Sequence, residues 1–264
     1  LSLRRELLER GCDIRFGHRL AGIEVKDGHA AALQMESQDG PYRLPVDAAV
    51  LALGNSARDT FEMLYAAGVP MEPKPLAVGV RIEHRQADID LAQYKALAGH
   101  PRLPASSYKL SCHLDNGRGV FSFCVCPGGT VVAAASEEKR VVTNGMSRYA
   151  RNGENCNGGL LVGVTPVDFP GSGPLAGIAF QRALEEAAYT AGGGGFTAPA
   201  QRVEDFLLRR PSAGPGRVQP TYRPGVRWMN LWDVLPEFLC ASLAQALPVL
   251  DRKVRGYAAP DAVL

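Results

Sequence analysis

The sequence predicts a mixed α/β (α+β) architecture: a short helix and β-meander, then a longer β-rich module that closes in helices. Three observations carry that expectation. Strand-like runs bounded by turn residues recur between Leu76 and Val164, the pattern of short, mostly antiparallel strands. Helical periodicity is concentrated near the two ends, in LSLRRELLER and in the run from Pro174 onward. The 29 Gly and 19 Pro among 264 residues demand frequent turns.

Taken in order, Leu1, Leu3, Leu7 and Leu8 fall near one helical face, and Gly11 supplies the stop. IRFGHRLAGIEV and HAAALQME flank Lys26-Asp27-Gly28 and read as a hairpin. Gln38-Asp39-Gly40-Pro41 is a second turn, and VDAAVLALG reads as a short buried strand ending at Gly54. Ser56 is placed to cap the next helix, with Asp59 three residues on, a stripe of Phe61, Leu64 and Tyr65, and Gly68 at its end. The breaker M-E-P-K-P sets a domain boundary near residue 74. Beyond it LAVGVRIEH, GVFSFCVC, TVVAAAS, RVVTNGM and GLLVGVT are strands, and PLAGIAFQRALEEAAYTAGG is a helix stopped by Gly192 to Gly195. APAQRVEDFLLRR reads as a shorter helical segment, and the last helices are expected to break at Pro236 and Pro248.

Charge and composition narrow the function classes. Lys plus Arg is 29 and Asp plus Glu 27, a net charge of +2, which argues against nucleic acid as partner. Hydrophobic residues at 46% and charged residues at 21% describe a folded chain. No apolar run approaches the roughly 20 residues that span a bilayer. The expectation is a cytoplasmic protein that meets a small-molecule substrate and no membrane, its oligomeric state left open. Six cysteines are too sparse for a disulfide scaffold and are read as free thiols.

Several residues carry candidate chemistry. At Gly54-Asn55-Ser56 a strand runs through glycine into a helix N-terminus, where an anionic or electron-rich ligand can approach the backbone. Cys124 and Cys126 are spaced to share one strand face; they read either as a redox pair or as two small buried apolar groups. With Cys112 and His113 they would suffice for tetrahedral zinc, but the spacing fits no metal pattern and no metal is predicted. The stretch from Thr143 to Asn157 is dense in hydrogen-bonding groups, and Asn144, Arg148, Arg151 and Asn155 are read as substrate-pocket residues, Arg151 as a carboxylate clamp. Cys124, Cys126 and Arg151 are the candidates for a catalytic role.

Leu51 to Phe61, KPLAVGVRIEH, the long block from Phe123 to Phe169 and APAQRVEDFL together resemble the uncharacterised FAD-dependent dehydrogenases, relatives of the two-dinucleotide-binding flavoproteins. The likeness implies a partial Rossmann-like FAD-binding domain at 1–74, an inserted β-rich plus helical substrate domain at 75–250, and a return toward the first domain at 251–264. It implies FAD as cofactor, leaves NAD(P) as a second cofactor open, and sets Leu20, Gly54, Asn55 and Ser56 near the flavin nucleotide. No G-x-G-x-x-G follows a strand in these residues, so the resemblance implies an internal fragment, inactive alone and not retaining FAD. The competing reading is a ligand-binding or assembly module without catalysis.

Overall fold

The computed structural model describes residues 2–264, which divide into two compact units, 2–72 and 73–264. It is a mixed α/β structure with several antiparallel sheets.

In the first unit, α1 (Ser2–Glu9) buries none of its residues; Leu1, part of the expected apolar face, lies outside the described residues. β1 (Arg19–Lys26), β2 (His29–Ser37) and β3 (Gly40–Pro45) form a three-stranded antiparallel meander. Asp27 and Gly28 both take positive φ, 51° and 80°, which suits a two-residue hairpin loop between Lys26 and its partner His29. α2 (Arg58–Ala66) follows, buries Leu64 and ends before Gly68.

Two expectations fail in this unit. Ala49 to Leu53 form no strand, and Val50 is 93% exposed. A strand buried on both faces needs ladder partners, and the described sheet of this unit contains β1, β2 and β3 alone. Ser56 does not cap α2. The cap position is Ala57 with no side-chain hydrogen bond, while the Ser56 hydroxyl donates to Asn55 Oδ1 at 3.4 Å.

The second unit is built on β4 (Leu76–Arg85), α3 (Gln86–Tyr94), β5 (Ser111–His113), β6 (Gly119–Cys126), β7 (Gly129–Ala133), β8 (Thr143–Ser147) and β9 (Asn155–Val164). Helix α4 (Ala176–Gly192), β10 (Ala198–Ala200), α5 (Val203–Leu207), β11 (Val226–Trp228) and α6 (Glu237–Asp251) complete it. The main sheet is antiparallel in the order β4-β9-β6-β5; β7 pairs with β8, and β10 runs parallel to β11. The segment expected to be wholly helical from Ala198 is thus a short strand followed by the five-residue α5.

Alternation sorts the main sheet's two faces. Val80 and Ile82 of β4, Val120 of β6, and Leu160 and Val162 of β9 turn toward Leu239, Leu243, Leu247 and Leu250 of α6 in one core. Helix α6 starts just after Pro236, as expected, but runs through Pro248 to Asp251. The apolar face that Leu247 and Leu250 bury on either side of Pro248 outweighs the lost backbone hydrogen bond. Residues 251–264 contribute Val254, Tyr257, Ala262 and Leu264 to the same core. Val263 exchanges backbone hydrogen bonds with Glu83 at 2.8 and 3.1 Å, so this segment closes one edge of β4.

Candidate functional site

The opposite face of the sheet carries a polar cluster beside Phe121, Phe123 and Leu161. Register sets Arg81 of β4 across from Gly159, and both Glu83 and Cys126 across from Asn157. Arg81 Nη2 donates to the Asn157 side-chain oxygen at 2.5 Å and to the Cys124 carbonyl at 2.9 Å, and lies 3.9 Å from Cys126 Sγ. Its Nη1 donates to Asn144 Oδ1 at 3.3 Å. Arg81 has no carboxylate partner among the described residues, and both Arg81 Nε and Asn157 Nδ2 are buried without a hydrogen-bond acceptor. A cation beside unused N–H donors is an environment for an anionic or strongly accepting oxygen. Gly145 of β8 lies against this group: a Cβ there would collide with the Arg81 guanidinium and the Asn157 amide.

The two cysteines meet this node in a way that alternation does not predict. Pairing jumps from Phe123↔Gly159 to Cys126↔Asn157, so Cys124 and Val125 together oppose Gly158. That β-bulge breaks the two-residue period and sets Cys124 at φ 44°. Cys124 is exposed and Cys126 half-buried, and the Cys126 thiol donates to the Cys124 carbonyl at 3.4 Å. Shared facing through simple alternation therefore does not hold, although both residues touch Arg81. Cys112 instead points into the core, where burial raises its thiol pKa.

The expected pocket residues separate. Asn144 joins Arg81 and also accepts from the Gly145 N–H at 2.8 Å. Asn155 is buried in the interior: its Nδ2 donates to Glu83 Oε2 at 2.9 Å and to the Gln219 carbonyl at 2.8 Å, which uses both of its amide hydrogens. Arg148 and Arg151 are exposed in the turn after β8, with the Arg151 N–H on the Arg148 carbonyl at 3.0 Å and Arg151 at φ 48°. Arg151 also lines a cleft of about 330 Å³ with Gln86, Asp90, Tyr94 and His100.

Sequence reasoning missed Arg81 and Asn157. The available signal was a charged residue on the alternate face of the apolar run LAVGVRIEH.

In the first unit, Leu20 is half-buried in β1 opposite Met35, next to a register shift. Gly54, Asn55 and Ser56 are exposed. Gly54 sits at φ 72°, where a side chain is strained, and a Cβ built there meets nothing within 4 Å. No side chain caps α2, and the Thr60 and Phe61 N–H groups of its first turn donate to the Ala57 carbonyl at 3.1 Å. The open backbone at Gly54 leaves room for a ligand edge, and a glycine-rich loop for a pyrophosphate is not among these residues.

The family described as FAD-dependent protein, C-terminal domain-like, matches residues 75–264. The chain is also similar to an uncharacterised protein of Clostridium beijerinckii, 43% identical over all 264 residues, and spans 49% of that protein's length. No helix among the described residues is long and apolar enough to cross a membrane.

Proposed function

Because the chain belongs to this family of FAD-dependent proteins, we propose that it forms the substrate-facing part of an oxidoreductase. In this reading Gly54, Asn55 and Ser56 would hold one edge of FAD, with Leu20 contributing backbone contact. Bound FAD supplies the electron-accepting ring, and the protein supplies binding, orientation and electrostatics. Arg81 carries the assignment of the substrate side. It is a guanidinium without a carboxylate partner, held between Asn144, Asn157 and the Cys124 carbonyl, and it presents charge to an anionic or carbonyl oxygen. Asn157 and Asn144 position Arg81; Cys124 meets the same node through its backbone carbonyl and Cys126 through its sulfur.

Variants of a longer protein, the chain extended to the length of the Clostridium beijerinckii relative, separate the two roles. Gly54→Val lowers bound FAD about tenfold or more, read as visible absorbance per protein, because a β-branched residue does not sit at positive φ. Arg81→Met leaves FAD content unchanged and slows bleaching of the flavin by an oxidisable substrate about 100-fold, the range for loss of one charged hydrogen-bond donor. Equal bleaching by Arg81→Met and the parent protein would overturn the assignment of Arg81.

A further inference from the structure

The cleft beside α3 carries an inference of its own. Gln86, Asp90 and Tyr94 are spaced four residues apart and share one face of α3. Asp90 is locked in place: its Oδ1 accepts from Gln86 Nε2 at 2.7 Å, from the Ser106 N–H at 2.8 Å and from the Ser106 hydroxyl at 2.7 Å. Its Oδ2 has no hydrogen-bond partner among the described residues. The turn bearing Arg151 is tied to the same helix. Gly128 donates its N–H to Gln86 Oε1 at 2.7 Å, Gly153 donates to the Gly128 carbonyl at 3.1 Å, and Gln86 donates its backbone N–H to Glu154 at 2.7 Å. A Cβ at Gly128 would collide with the Arg151 carbonyl, so glycine there permits the approach.

Asp90, with its carboxylate fixed, and Arg151 therefore line one cleft of about 330 Å³. They form no ion pair with each other, and neither has another ionic partner among the described residues. His100 and Tyr94 are the further titratable side chains in the lining, the His100 Nδ1 accepting from the Arg102 N–H at 3.3 Å. A ligand with one charge satisfies one side and is repelled by, or leaves bare, the other. A dipolar ligand satisfies both. The volume is at the small end of ligand sites.

We propose that this cleft binds a small zwitterion, a free α-amino acid, with its ammonium on Asp90 and its carboxylate on Arg151. The site lies wholly in the second unit and does not depend on the flavin reading. The test is calorimetric titration of the longer protein with L-alanine, L-leucine, L-glutamine and L-phenylalanine, with propionate and ethylamine as single-charge controls. At least one amino acid should bind about tenfold or more tightly than either control. Arg151→Gln and Asp90→Asn, the second keeping the Oδ1 acceptor, should each weaken it by a similar factor, with folding checked by circular dichroism. Should Asp90→Asn fail to fold, Arg151→Gln and the single-charge controls still decide. No binding by any of the four, equal binding of a control, or unchanged affinity in folded Arg151→Gln overturns the proposal.

Discussion

Gly145 is where β8 comes closest to Arg81, and an added methyl there has no free volume. Gly145→Ala should lower the stability of the second unit by about 1–3 kcal/mol, the cost of overpacking, read as a lower denaturant midpoint. Cys124→Gly should behave differently. Its left-handed backbone costs a non-glycine residue about 1 kcal/mol or more, so the variant should be neutral or up to about 1 kcal/mol more stable. A clear loss would show that the Cys124 side chain itself holds the bulge. The contrast explains what was legible at this scale. The spacing of Cys124 and Cys126 is plain in the sequence, but no Gly or Asn at 124 announces a positive φ, so the bulge was hidden. Arg81 is a charge in an apolar strand, a signal that sequence reasoning passed over, and its partners Cys124 and Asn157 are 43 and 76 residues away, where pairing is set by the fold.

Among the elements, β6 and the 3-10 turn after β9 are clamped by Arg118 and Asp168. The guanidinium donates to Asp168 at 2.8 and 3.0 Å and to the Gly163 carbonyl at 2.9 Å. Asp168 also accepts from the Thr165 N–H at 2.8 Å. The Arg118 hydrogen bonds, aided by Thr165, hold the Asp168 carboxyl down at about 2. With the folded value below the unfolded one, the pair stabilises the fold above about pH 4, and that contribution of roughly 2 kcal/mol disappears as the pH falls toward 2. Asp168→Asn should remove it at neutral pH and flatten the acid limb of the stability curve. Strands β4, β6 and β9 were legible because turn residues bound their strand-like runs. Ala49 to Leu53 misled because apolarity reports a demand for burial, while a strand also requires partners. Pro248 misled because helix breaking is a local cost that the buried leucines beside it override.

Across the second unit, β4 is joined to the C-terminal segment through His84. Its Nε2 lies 2.7 Å from the Tyr257 carbonyl, and its ring packs against Tyr108 and Tyr257 with centroids 5.9 and 5.0 Å away. Burial pushes its pKa down to about 4. A histidine kept neutral in the fold but titrating near 6.5 when unfolded leaves stability unaffected above that pH and reduces it as the pH falls from about 6.5 to 4. Unfolding midpoints measured through that window should decline, and His84→Gln should decline less. The breaker near residue 74 lies beside the division between residues 72 and 73. The parallel pair β10–β11 and the closure of β4 by Val263 were not legible in the sequence, since three-residue strands and single bridges leave no periodicity.

The central claim is that these residues belong to the substrate side of a flavoenzyme, and the visible spectrum of the purified longer protein tests it most directly. The expected protein is yellow, releases FAD on denaturation and bleaches when a reductant is added without oxygen, while the 264-residue chain alone is colourless. A longer protein that is colourless and takes up no FAD on titration would contradict the claim and favour a binding module.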